Sequence, residues 1–235
     1  MKKRSLSVLL LALCSTLSFA QRTKIAITTE YGRIVMELYD ETPKHRDNMI
    51  KLTNEHFFDS TLFHRCIPAF VIQGGDPNSK HATADQMLGN GEVGYRVDAE
   101  INDSDFHKYG AVGMARDNNP QKASSGCQFY IVTGKKYSEE ELVAMSQHRP
   151  TPMPESQKEA YKTIGGTPHL DGNYTVYGEV IEGMDVVEQI SKEPRNQFDR
   201  PTKDIRMLKV EVLKPTKAEL KAARKKKKKE QSKKD

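Results

Sequence analysis

Between positions 63 and 76 the chain reads Phe63-His64-Arg65-Cys66-Ile67-Pro68-Ala69-Phe70-Val71-Ile72-Gln73-Gly74-Gly75-Asp76, two short apolar strands carrying one arginine and one glutamine before a Gly-Gly-Asp turn. A guanidinium is permanently charged and presents a fixed fork of donors, so Arg65 can donate to an amide nitrogen or hold a carbonyl oxygen without exchanging a proton. A carboxamide such as Gln73 can grip a peptide backbone beside it. Neither group makes or breaks a bond, so the chemistry in reach is stabilisation of a distorted amide. An isolated strand arginine is as readily a surface ion pair, and an isolated glutamine a solvated polar residue. The seven histidines are scattered and no CxxC occurs, so no metal site is expected. Cys66 and Cys127 lie in apolar strand patterns and read as buried thiols. A nucleophilic Cys127 after Gly126 is the rival reading, opposed by alternation that turns this side chain inward.

Two further blocks follow in order. One is Gly113-Met114-Ala115-Arg116 with Ser124-Ser125-Gly126-Cys127-Gln128-Phe129-Tyr130-Ile131-Val132 after a polar loop. The other is His169-Leu170-Asp171-Gly172-Asn173-Tyr174-Thr175-Val176-Tyr177-Gly178-Glu179-Val180, running on through Gly183-Met184-Asp185-Val186-Val187. With the first block they resemble the cyclophilins, from about Lys24 to Leu213.

That resemblance implies a mainly β fold, a closed eight-stranded antiparallel barrel capped by two α-helices, and peptidyl-prolyl cis-trans isomerase activity with no cofactor. Rotation about a peptide bond before proline faces a barrier of ~20 kcal/mol. Turning over at roughly 10 to 1000 per second needs about 4 to 7 kcal/mol of differential stabilisation. The resemblance implies Arg65 and Gln73 as catalytic, and Phe70, Val71, Tyr130 and Leu170 as the pocket for the proline ring. It places Met114, Ala115 and Arg116 on the strand that meets the substrate, Ala115 and Arg116 through their backbones. Gln128 would hold the peptide backbone, His169 lies at the rim, and Tyr174 replaces the histidine usual in the family. Val71 stands for a commoner methionine, Tyr130 for phenylalanine, Arg116 for asparagine and His169 for the tryptophan on which cyclosporin binding leans. The implied partners are proline-containing peptides and unfolded exported proteins, met by a monomer. A cyclophilin-shaped chaperone module with incidental catalysis is the alternative.

The elements that must position these groups are legible in outline. Alternation in residues 24–28 and 33–38 predicts a hairpin turning at Tyr31-Gly32. Thr42-Pro43 predicts an N-cap and first helical residue, with Met49, Ile50 and Leu52 at helical spacing up to Glu55. Strands are expected at 62–67, 70–73, 95–97, 111–114, 128–132 and 175–180, a second helix from Met184 to about Lys192, and a closing strand over Leu208, Val210 and Val212. Parity puts Gln128 and Tyr130 on one face with Phe129, Ile131 and Cys127 on the other, and sets Arg65 opposite Cys66. Residues 135–167 form an insertion, with a capping box at Ser138 and Glu141, a helix after it and a second from Glu155 to Ile164. Its end lies near His169, so it either borders the groove or is a passive elaboration.

The two ends differ from the middle. Met1–Ala20 has the basic, apolar and small-residue regions of a secretory signal, with cleavage after Ala20. The domain would then span 21–214 in an exported, periplasmic protein; lipid attachment at Cys14 is the lesser alternative. Lys214–Asp235 holds eleven Lys and Arg against three acidic residues, a net +8, which leaves the middle acidic within an overall +5. The tail, 215–235, reads as disordered and solvated, with weak contact to an anionic surface as the alternative. It lacks interleaved aromatics, so no specific nucleic acid is expected.

Overall fold

The computed structural model describes residues 22–149 and 151–221. The expected signal, Cys14 and the lysine run at 225–229 lie outside the described residues. Arg22–Lys214 form one unit. Just after it Thr216 and Glu219 cap each other reciprocally, Thr216 N donating to Glu219 Oε2 at 2.7 Å and Glu219 N to Thr216 Oγ1 at 3.2 Å.

Among the described residues ten strands run in chain order as β1 (Lys24–Thr29), β2 (Gly32–Leu38), β3 (Phe63–Ile67), β4 (Val71–Gly74), β5 (Arg96–Val97), β6 (Ala111–Met114), β7 (Ser124–Ser125), β8 (Phe129–Val132), β9 (Val176–Glu182) and β10 (Lys209–Leu213). The helices are α1 (Pro43–Asn54), α2 (Glu139–Gln147), α3 (Glu155–Thr163) and α4 (Met184–Ser191). Eight strands form one antiparallel sheet in the order β10-β1-β2-β9-β6-β8-β4-β3. The sheet curls so that its two edge strands meet: Leu62 bridges Arg206, Phe63 N donates to Ile205 O at 2.9 Å, and Met207 N to Thr61 O at 2.8 Å. Closure thus rests on a short bridge beside β3 and β10 rather than on a full ladder. Of the expected strands, 95–97 lies outside the barrel, where β5 pairs with β7.

Alternation decides what fills the interior. Ile25, Ile27, Ile34, Met36, Leu38, Phe129 and Ile131 point inward and are buried, and Met49 and Leu52 of α1 with Val187 and Ile190 of α4 join the same core. Burying a side chain of this size is worth about 1.5–3 kcal/mol, so the strands and the two helices hold one another in place. The closing strand is less regular than expected, because Leu208 precedes it and stays exposed while Val210 enters the core.

The start of α1 departs from the expected cap. Thr42 makes no side-chain cap bond, and its hydroxyl is buried without a partner. The free amides of the first turn go instead to a distant carboxylate: Lys44 N and His45 N each donate to Glu100 at 3.0 Å.

The insertion is a closed excursion. Lys135 bridges Gly166 where it leaves and rejoins the barrel, and the capping box at Ser138 and Glu141 opens α2. Between α2 and α3 it carries its own small core of Tyr137, Leu142, Met153 and Tyr161. Its two arms pass so closely that a Cβ on Gly134 would lie 1.9 Å from Gly166 O. Gly134→Ala therefore has to force two backbones apart, with an expected cost of about 2–4 kcal/mol and a fall of several degrees in Tm, measured by calorimetry.

Candidate active site

One irregularity aims Arg65. Phe63 pairs with Gly74 and Arg65 with Gln73, so His64 is an extra residue in β3. Strict alternation from Phe63 would send Arg65 into the core beside it; the bulge resets the parity, so Arg65 faces out while Cys66 turns in. Across the next strands Gln73 pairs with Tyr130, and Tyr130 with Gly113. A row of Arg65, Gln73, Tyr130 and Gly113 thus crosses four strands on the outer face.

That row floors a groove of about 170 Å³, lined by Arg65, Phe70, Val71, Gln73, Ala115, Arg116, Tyr130, Leu170 and Tyr174. Nine of the sequence-predicted residues therefore meet in one place. Gln128 stands just behind: it is buried, accepts from Gln73 Nε2 at 3.1 Å, and donates from its own Nε2 to Gly89 O and Gly91 O, both at 2.9 Å. His169 lies at the rim, stacked on Phe70 at 5.4 Å between ring centroids. Met114 is the exception. It is fully buried and packs in the barrel core with Phe129, because parity on β6 turns it inward. The backbone role expected of Ala115 is also closed, since its amide donates to Gln128 O and its carbonyl accepts from Ser125 N, both at 2.8 Å.

The Arg65 side chain is 39% exposed, with Nε 3.9 Å from Asp199 and its carbon 5.6 Å above the Phe70 ring. Among the described residues nothing accepts a hydrogen bond from its terminal nitrogens. The other arginine is tied down: Arg116 Nε donates to Asn173 O at 2.7 Å, and its guanidinium lies 4.9 Å over Tyr174. His64 is buried, and burial lowers its pKa to about 4, so no second charge sits next to Arg65 in β3 at neutral pH.

Tyr130 is held from below by groups that nothing in the sequence singled out. Its hydroxyl donates to His107 Nε2 at 2.8 Å, and His107 Nδ1 donates to Asp171 Oδ1 at 2.8 Å. The carboxylate can only accept, which sets the imidazole tautomer and leaves Nε2 free to receive the tyrosine proton. Arg149 at 3.0 Å and Tyr161 at 2.7 Å donate to the other Asp171 oxygen. Both come from the insertion, which supports Asp171 from behind although none of its residues lines the groove. Gly113 makes room on the opposite side, since a Cβ there would lie 2.3 Å from Tyr130 Cζ. A cysteine nucleophile finds no support: Cys127 is buried and burial raises its thiol pKa to about 12. Cys66 and Cys127 are unpaired thiols.

Residues 24–212 match the family described as cyclophilin type peptidyl-prolyl cis-trans isomerase/CLD. A Staphylococcus saprophyticus protein named for peptidyl-prolyl cis-trans isomerase activity is 34% identical over 191 residues, 81% of this chain and 91% of its own length. A Streptococcus pyogenes protein, named as a bifunctional phosphatase/peptidyl-prolyl cis-trans isomerase, is 34% identical over 195 residues, but this chain spans only 38% of its length. Among solved structures, a Cryptosporidium parvum cyclophilin type isomerase superposes with a TM-score of 0.62 at 22% identity, over 83% of this chain and 100% of that one.

Burial alone would raise the Asp171 pKa, but the hydrogen bonds from the His107 ring and amide and from the Tyr161 hydroxyl outweigh it and hold the carboxyl below its ordinary value of 3.8. The stability it contributes is complete above that value and is lost as the pH falls through the lower folded one. Asp171→Asn is expected to cost about 2–4 kcal/mol at pH 7. Urea denaturation at neutral and strongly acid pH should show the gap from the parent narrowing in acid.

Proposed function

The chain belongs to the cyclophilin-type peptidyl-prolyl cis-trans isomerases, and on that premise we propose that Arg65 is the group that eases the amide before proline through its twisted form. As the amide twists, the prolyl nitrogen loses its delocalisation into the carbonyl and its lone pair localises. A guanidinium nitrogen donating to that lone pair bonds the twisted state more strongly than either planar one, which is the condition for faster rotation. The observation carrying this reading is that Arg65 is held at the groove by Asp199 and Phe70 with its terminal donors unpaired.

The proline ring would sit on Phe70, Val71, Tyr130 and Leu170, which cluster on the outer face. Gln73, fixed by Gln128, is aimed along the peptide beside Arg65. Arg116 takes the backbone pairing that Ala115 has spent within the fold. Tyr174, with its ring under Arg116 and edge-on to Tyr130, orients the far side of the peptide. The signal-like Met1–Ala20 supports a periplasmic place of work, where the clients are other exported chains still folding, and where the enzyme acts as a monomer.

Three variants test the assignment in a proline-peptide exchange assay. Arg65→Ala is expected to lose roughly 100-fold in kcat/KM, the scale for one transition-state donor, while keeping the parent's thermal stability. Arg65→Lys should recover little, because a point charge lacks the planar fork. Gly113→Ala drives the Tyr130 ring toward the proline seat and should raise KM more than it lowers kcat. Equal rates for parent and Arg65→Ala would defeat the assignment.

A further inference from the structure

Three hollows follow one another on the outer face. The proline groove shares Arg65 and Gln73 with a second hollow of about 300 Å³ that extends to His64, Leu88, Phe198 and Arg200. The second shares Phe198 with a third, of about 440 Å³, between residues 84–87 and 196–198. The shared walls make them one continuous track leading away from Arg65.

The far half of this track is built and not left over. Arg200, only 5% exposed, donates from one terminal nitrogen to Thr83 O at 2.9 Å and Gln86 O at 2.8 Å, and from the other to Asp204 at 3.0 Å. It thereby ties the 83–86 loop to the 196–204 loop. Asn196 Oδ1 accepts from Phe198 N at 2.9 Å, and Cys66 N of β3 donates to Asp199 O at 2.9 Å. Asp199 sits at φ +60°, a left-handed conformation that a non-glycine residue holds only under local constraint. The result is three successive residues with three directions: Phe198 to solvent, Asp199 between Arg195 at 3.0 Å and Arg65 at 3.9 Å, Arg200 into the protein.

Phe198 is 56% exposed and Met87, across the third hollow, 66%. Scattered exposed apolar residues need no explanation, but these two face one hollow on loops clamped by a buried arginine. Beneath the middle hollow both ring nitrogens of His64 are buried without a hydrogen-bond partner. The track is polar beside Arg65 and mixed at its end, where Met87 and Phe198 stand among Asp85, Gln86, Asn196 and Gln197.

We propose that the 83–88 and 196–200 loops are a second binding region for the client chain, in which Met87 and Phe198 take an apolar side chain from the segment flanking the proline. The occupant follows from continuity: the groove and the track share Arg65 and Gln73 as walls, so a chain with its proline in the groove can run on past Arg65 into the track. The proposal rests on the isomerase reading of the groove. It makes the enzyme selective for prolines near apolar sequence, which is the sequence that unfolded clients expose.

The test uses the full chain and three peptides: an Xaa-Pro tetrapeptide, and the same core lengthened by four residues on either side, rich in leucine or in serine. The parent is expected to favour the leucine-extended peptide over its serine counterpart by about tenfold in kcat/KM, the scale for burying one large apolar side chain. The Met87→Ser, Phe198→Ser double variant should lose that preference and keep the tetrapeptide rate. A preference that survives in the double variant, or is absent from the parent, overturns the proposal. So does a parent dimer in sedimentation that Phe198→Ser dissociates, since the patch would then cover a second copy of the chain. If the parent fails on the tetrapeptide, it is the isomerase reading that falls. Fluorescence anisotropy of the labelled leucine-extended peptide against parent and double variant then still decides whether the track binds.

Discussion

Everything at this site depends on an extra residue in β3. An arginine on a barrel strand has two places to go, and the inward one is closed by the cost of burying an unpaired charge. Phe63 and Cys66 both enter the core, three positions apart, which simple alternation forbids. The bulge at His64 resolves the conflict: it satisfies the core at both ends of the segment and leaves Arg65 pointing out beside Gln73. The barrel's hydrophobic demand and the placing of the guanidinium are thus one constraint.

From Arg65 the site spreads by register. Gln73 stands opposite it, Tyr130 opposite Gln73, and Gly113 opposite Tyr130. Each member supports the next in a different way. Gln128 fixes Gln73 by hydrogen bonding, and the empty side of Gly113 admits the tyrosine ring. The tyrosine hydroxyl never reaches the groove as a free polar group, because His107 and Asp171 hold it from beneath. A tyrosine at this seat therefore still offers an apolar surface. The insertion's Arg149 and Tyr161 complete the carboxylate's partners, which couples that excursion to the groove wall.

Much of this was legible in the sequence because strand parity is local. The opposite faces of Tyr130 and Phe129, and the outward Arg65 beside an inward Cys66, need only adjacent residues to be read. The capping box at Ser138 and Glu141 is legible for the same reason, being complete within four residues. What escaped is long-range. Glu100 caps α1 from a distant loop, so Thr42 looked like the cap when it makes no such bond. Asp171 lies within a recognisable block, but its partners His107, Arg149 and Tyr161 come from three separate segments. The family resemblance sets Met114 at the groove with its neighbours Ala115 and Arg116, whereas its parity on β6 sends it into the core. The stretch 95–97 looks like a barrel strand locally, yet it pairs with Ser124 and Ser125 outside the barrel.

The spacing between Arg65 and Asp199 has its own logic. At 3.9 Å two unit charges attract by about 4 kcal/mol at an effective dielectric of 20 and about 1 in bulk water. Both side chains are more than one third exposed, so the lower figure applies and salt reduces it further. An intimate two-point bond would have fixed the guanidinium more firmly, yet it would have occupied the donors that must meet the twisted amide. A weak hold through Nε, with the Phe70 ring beneath, steers the guanidinium while leaving its terminal nitrogens uncommitted. The carboxylate that provides this hold sits in a left-handed conformation between exposed Phe198 and buried Arg200. Its strain is met by the bonds that clamp the loop, so the same few residues that position the charge also shape the track beyond it.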